Sequence, residues 1–342
     1  MKHVFWIHSH TTFLTARGVI DKLKLRNRDI VYILARNYKC YNIDENIPTY
    51  DMSEIIMSPR LETRRRILEE IRILDNLIDE KISEAFTFYT PHLSSYAFQV
   101  VSTNKLCVDI KFIQEGIIDF CTGGQVSQKN ILFKMKQIYV NTMYRNLHRF
   151  WKCADWDDYR HGIKHASESF AITESLFSKA DCKHTIVEWP KMTLPIKLED
   201  NGIYFVFESL VEQRNIERYI FMEAIEKLIK KFAGEHNYVK FHPFQKDENK
   251  DYIKSLFPKN GFQVEQLPDN VPFEMILASQ PHMKVCGFTT SLIFFAALMP
   301  QHEAHICVPA LYKSKKFVKW YWKSFEANLK RCYGDRFKYE EL

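Results

Sequence analysis

The chain has 342 residues, 46% of them apolar and 14% aromatic, with eight cysteines and a formal net charge of +6. That length and apolar content suffice for two ordinary domains with a substantial core, and they exclude a disordered or low-complexity chain. The cysteines are scattered with no CxxC pair and no signal peptide opens the sequence, so they read as reduced thiols of a cytoplasmic protein; no apolar run reaches the roughly 18 to 20 residues of a spanning helix.

In chain order, residues 4–7 form an apolar strand, followed by the polar loop His8-Ser9-His10-Thr11 and a helix over about 12–23; residues 30–34 make the second strand of a βαβ start. A charged helix is expected over 60–82, strands over 86–89 and 106–113, a helix over 128–151, and short strands over 171–173 and 185–187. Residues 188–202 carry Pro190 and Pro195 with little periodicity and read as a linker. A second α/β unit then has strands over 203–207, 238–241, 282–286 and 305–308 and helices over 216–233, 273–278 and 291–298. The expected organisation is one α/β lobe over 1–195, a second over 196–312, and a basic, aromatic helical segment over 313–342.

Three short motifs sit where expected strands give way to loops. Gln114-Glu115-Gly116 offers a carboxylate and His242-Pro243 an imidazole, the two halves of a general acid/base pair. Gly287-Phe288-Thr289-Thr290-Ser291 follows a strand and opens a helix, the geometry that holds phosphate. Together they point to transfer of a group from a nucleotide.

Other signals compete. His8 and His10 form an HxH at the end of the first strand, where alternation would put both imidazoles on one side to share a metal, as in a metal-dependent hydrolase. No second tight cluster completes such a site, and the bland role of His8, Ser9, His10 and Thr11 is to cap the following helix. Asp155-Trp156-Asp157 is a DxD in a polar loop, read as surface. Residues 313–338 hold nine Lys or Arg against two acids, interleaved with Phe317, Trp320, Tyr321, Trp322 and Phe325. That segment suits either an anionic bilayer surface or a packed helix, and it matches no nucleic-acid-binding signature.

The ordered motifs resemble those of the bacterial sialyltransferases and polysialyltransferases, whose signatures are an acidic-acidic-Gly motif, a His-Pro motif and a Ser/Thr pair. Lys240-Phe-His-Pro243 and Gly287-Phe-Thr-Thr-Ser291 carry the last two, and Val271-Pro-Phe-Glu274 matches where that family keeps a ribose-binding glutamate. The chain departs at the first motif, where Gln114 stands in place of the first acid while Glu115 keeps the second.

The resemblance implies a GT-B glycosyltransferase, two Rossmann-like lobes facing a central cleft, acting on CMP-sialic acid and a surface glycan, lipooligosaccharide or capsule. A donor carrying Kdo or another nonulosonic acid fits the same motifs. In the implied inverting displacement Glu115 is the base and His242 the acid on the departing CMP phosphate. Thr289, Thr290 and Ser291, with Pro243 beside them, bind that phosphate, Glu274 accepts from the ribose, and Lys240 adds positive charge. Ser209 in the loop after 203–207 is a further phosphate contact or a helix cap. The 8–11 loop would hold acceptor or donor sugar. No metal or other cofactor is expected.

Overall fold

The computed structural model describes residues 1–39, 43–57, 62–93, 95–118, 166–177 and 182–342. The helix expected over 128–151 and the Asp155-Trp156-Asp157 triplet lie outside the described residues. Packing divides the chain into two units, Met1–Trp189 and Pro190–Leu342, with the break inside the proline-bearing linker segment.

In the first unit, strands β1 (Lys2–Ile7), β2 (Ile30–Leu34), β3 (Thr49–Asp51), β4 (Phe86–Thr90), β5 (Cys107–Ile113), β6 (Ala166–Ala171) and β7 (Lys183–Ile186) form one sheet. Their order is β3-β2-β1-β4-β5-β6-β7, and every pair is parallel. The central strands are buried on both faces, β2 and β4 along their whole length, which is why they read as continuous apolar runs. The described helices are α1 (His10–Leu23), α2 (Arg64–Leu77) and α3 (Tyr96–Ser102). A wider turn over Ile78–Ile82 continues α2, ending the helix earlier than its charged periodicity suggests.

Helix α1 starts two residues before the expected Thr12. Ser9 Oγ accepts from the Thr12 N–H at 3.2 Å and Thr12 Oγ1 accepts from the Ser9 N–H at 3.1 Å, a reciprocal cap that makes His10 the first helical residue. The expected 8–11 loop is therefore a strand end, a cap and the opening of a helix, with Thr11 buried in the first turn.

The second unit repeats the pattern. Strands β8 (Ile203–Phe207), β9 (Asn237–Phe241), β10 (Glu265–Gln266), β11 (Lys284–Gly287) and β12 (Glu303–Ile306) are parallel in the order β10-β9-β8-β11-β12. They pack with α4 (Arg218–Phe232), α5 (Asp247–Lys259), α6 (Phe273–Ser279) and α7 (Ser291–Leu298). In each sheet the unit's first strand lies centrally, with its second and third on one side and its fourth and fifth on the other. This is the doubly wound nucleotide-binding order, and its switch points fall between β1 and β4 and between β8 and β11. The expected α/β class with two Rossmann-like lobes is present, and two such lobes in one chain are what a GT-B enzyme is built from.

Residues 313–342 fold back onto the second unit through α8 (Lys315–Tyr321) and α9 (Ala327–Tyr333). Phe317 and Tyr321 are fully buried, the Tyr321 hydroxyl meets that of Tyr339 at 2.7 Å, and the Glu340 N–H donates to the Ile306 carbonyl at 2.9 Å. Much of the aromatic stripe is thus core of this unit. Among the described residues no helix is long and apolar enough to cross a membrane.

Gly287 ends β11 against β8, where a Cβ would stand 2.7 Å from the Val206 carbonyl oxygen. Gly287→Ala therefore forces the two strands apart, and a loss of about 1–3 kcal/mol is expected in denaturant unfolding. An unchanged midpoint would mean that the strands separate without cost.

Candidate active site

Four loops at the carboxyl edge of the first sheet converge on Glu115. His8 follows β1, Arg36 follows β2, His92 follows β4 and Glu115 itself follows β5, so the cluster straddles the β1/β4 switch point. Glu115 Oε1 contacts His8 Nε2 at 2.5 Å and accepts from Arg36 Nη1 at 3.2 Å. Its Oε2 lies 3.5 Å from His92 Nε2 and makes no hydrogen bond. One carboxylate oxygen is anchored and the other is buried without a hydrogen-bond partner.

Burial opposes the charge of Glu115, but the contacts with His8 and His92 outweigh it and hold the carboxyl well below the usual range. Burial also lowers the proton affinity of His8, more than the carboxylate beside it raises it. His8 is then a neutral ring donating Nε2–H to Glu115, with Nδ1 buried and unpartnered. Arg36 holds Glu115 from a left-handed backbone, φ 58°, a conformation that non-glycine residues keep only where the surroundings impose it.

Gln114 is fully buried and faces the other way. Its Nε2 donates to the Gly116 carbonyl at 3.0 Å and its Oε1 accepts from the Ile172 N–H at 2.9 Å, fixing the loop that presents Glu115. His10 does not join His8: its Nδ1 lies 3.0 Å from the Tyr38 hydroxyl. The paired imidazoles of a metal hydrolase are not assembled, because His10 belongs to a helix and not to the strand. Among the described residues no group of three or more His, Cys, Asp or Glu is placed to hold a metal.

In the second unit the loops after β8, β9 and β11 carry Glu208, His242 and Thr289. His242 Nδ1 accepts from the Phe244 N–H at 3.1 Å, and a backbone amide can only donate. The proton of the neutral ring is therefore on Nε2, which is a hydrogen-bond donor. Burial lowers the proton affinity of this imidazole, offset in part by Glu212. Pro243 is exposed beside it.

The residues of the expected phosphate loop divide by role. Thr289 gives both its N–H and its hydroxyl to Glu208 Oε1, at 3.1 and 2.7 Å, so neither is open to a ligand. Thr290 caps α7, accepting from the Leu292 N–H at 3.4 Å, and with Ser291 remains half-buried. Lys240 is likewise spent: Nζ donates to the carbonyls of Pro268, Asp269 and Val271 at 2.6, 3.4 and 2.9 Å. It clamps the loop that leads into α6, where Glu274 sits in the first turn with burial raising its carboxyl above the usual range. Ser209 is fully buried with its hydroxyl accepting from the Gln213 side-chain amide Nε2 at 2.9 Å, a contact within its own turn.

Arg36, His92 and Glu208 were not singled out from sequence. Each lies within two residues of a strand's carboxyl end, and a roll of charged residues at those positions would have found all three.

Comparison with protein-family models and with curated proteins finds no match for this chain. Similar solved structures include the UDP-GlcNAc 2-epimerase of Methanocaldococcus jannaschii, 13% identical over 92% of this chain and 91% of that one with a TM-score of 0.49. The UDP-GlcNAc 2-epimerase of Neisseria meningitidis bound to UDP-GlcNAc is 12% identical over 97% and 94%, TM-score 0.46. MurG of Acinetobacter baumannii is 10% identical over 94% and 82%, TM-score 0.41.

Arg36→Gln removes a cation from Glu115 and should raise its titration midpoint, read by carboxyl carbon NMR; an unmoved midpoint would show that the guanidinium is screened. Because the folded-state value is depressed, the stability it contributes is full above the ordinary carboxylate value of about 4.3 and is lost as pH falls through the folded value. Glu115→Gln should flatten that acid limb of the unfolding curve.

Proposed function

We propose that this protein is an inverting glycosyltransferase of the GT-B type that moves sialic acid from CMP-sialic acid to a surface glycan, lipooligosaccharide or capsule. The observation that carries the reading is the placement of one proton acceptor and one hydrogen-bond donor, Glu115 Oε2 and His242 Nε2, each at the carboxyl edge of its own Rossmann-like sheet.

In the proposed reaction the acceptor hydroxyl attacks the anomeric carbon as the bond to the CMP phosphate breaks, through an oxocarbenium-like transition state. The hydroxyl proton goes to Glu115 Oε2, while the neutral His242 ring keeps its proton and donates an Nε2–H hydrogen bond to the phosphate, which departs with CMP as an anion. Thr290 and Ser291 supply their hydroxyls, and Ser291 its N–H, at the start of α7, where the helix adds about half a positive charge. Glu274 accepts from the ribose. A carboxylate held as low as Glu115 is a weak base until a contact is released, and Arg36, with 63% of its side chain exposed, is the partner a bound sugar displaces. Hydrogen-bond donors then meet the leaving phosphate without a metal.

A Kdo or other nonulosonic acid donor shares the CMP half, and therefore the same nucleotide contacts, and differs only in the sugar. The basic residues Lys315, Lys316, Lys319 and Lys323 are exposed along α8 and the turn after it, the face proposed to meet an anionic inner-membrane surface.

Calorimetric titration with CMP, with UMP and ADP as controls, tests the donor. Selective CMP binding weakened by Glu274→Ala is expected, and no CMP binding would sink the reading. Glu115→Ala and His242→Ala should each lower turnover by about 10²- to 10⁴-fold with the fold intact, and excess chelator should leave turnover unchanged. Near-normal turnover of the Glu115 variant would move the base elsewhere. For the membrane face, reversal of the four lysines to Glu is the apt variant, since truncation would remove the buried Phe317 and Tyr321. Release from anionic vesicles is expected, and undiminished binding would remove α8 from that role.

A further inference from the structure

Glu208 follows the central strand of the second sheet, between the His242 loop and the Thr289 loop, at the β8/β11 switch point. It is only 7% exposed, yet Oε2 has no hydrogen-bond partner while Oε1 takes both donors of Thr289. An unpaired oxygen of a buried carboxyl is costly, and here it sits at the opening of α7, where an anion is favoured. A carboxylate and a phosphate compete for such a place; a carboxylic acid and a phosphate do not.

We infer that Glu208 binds the donor phosphate as a carboxylic acid, with Oε1 still accepting from Thr289 and a proton on Oε2 donated to a phosphate oxygen. The inference rests on the donor reading above. The proton comes from solvent when the nucleotide binds and returns when it leaves. Burial already pushes the Glu208 carboxyl up to about 7, against the pull of the Thr289 and Thr290 N–H groups, so protonation near neutrality is cheap. The titratable and charged groups on neighbouring segments are Glu212 and Arg214, on Glu208's own turn, Lys240 on β9 and His242 after it; the loop after β11 brings only hydroxyls and N–H groups. Above pH 7.5 the phosphate of CMP is a full dianion, its second ionisation lying near 6. His242, lowered by burial, is already neutral there.

The test is CMP affinity measured by calorimetry from pH 7.0 to 8.5. Wild type should weaken by up to about tenfold per pH unit above 7.5, because the required proton becomes harder to hold. Glu208→Gln keeps an acceptor for Thr289 and presents an amide N–H at every pH, so its affinity should stay flat. Wild type also decides the point alone: in two buffers of different ionisation enthalpy at pH 8.0, uptake should approach one proton, and His242→Gln should leave it unchanged. Equal slopes in wild type and the Gln variant, or binding without proton uptake, would overturn the role of Glu208 while leaving the donor reading standing. No CMP binding by wild type at any pH overturns the donor reading and this role with it.

Discussion

A parallel strand pair cannot be closed by a hairpin; the chain must cross over and start again from the same edge. Every pair in both sheets of this protein is parallel, so every strand of a sheet delivers its last residue to one rim. That constraint is what brings His8, Arg36, His92 and Glu115 together from loops far apart in sequence. It also puts Glu208, His242 and Thr289 on one edge. The strand order then decides which loops are next to each other, and in each lobe the charged side chains gather where that order reverses.

The two carboxylates at these rims are the same functional group in opposite circumstances. Glu115 meets two imidazoles and a guanidinium and is held ionised. Glu208 meets only N–H and hydroxyl groups in a drier place, and burial drives its proton affinity up. A carboxyl that stays charged is a weak proton acceptor while a cation such as Arg36 remains against it. One that is readily neutral can stand beside a phosphate without repelling it. Environment and not residue type sets the two carboxyls apart, and the separation is drawn by which loops the sheet places alongside.

The α/β alternation was legible because buried parallel strands such as Ile30–Leu34 and Ile203–Phe207 are unbroken apolar runs. Strand Ala166–Ala171 was not, since Ser167, Glu168 and Ser169 interrupt its apolar pattern; its expected position was displaced to 171–173. Helix α5 was missed because its charged sequence buries only a narrow stripe. The start of α1 was misplaced because Thr12, not Glu or Gln, completes the cap. Glu115, His242 and His8 were singled out from sequence, but the contact between His8 and Glu115 was not foreseen. The neighbour of a side chain at the rim is set by sheet order, which no local spacing encodes. Lys240 looked like a free cation because a sequence shows charge and hides the three carbonyls that consume it.

In each of the three motifs one residue is spent on anchoring contacts. Gln114 is buried and ties down the loop while Glu115 turns to the rim; Lys240 clamps the 268–271 loop while His242 presents Nε2; Thr289 is spent on Glu208 while Thr290 and Ser291 stay accessible. This division explains the glutamine that stands where the resembling family has an acid. At position 114 one atom must donate to the Gly116 carbonyl and another must accept from the Ile172 N–H. A neutral amide does both at any pH, whereas an ionised acid can only accept and would leave a buried carbonyl unpaired. An acid could keep that donor bond only by holding a proton. With Gln114 the hold on the loop that presents Glu115 is independent of pH.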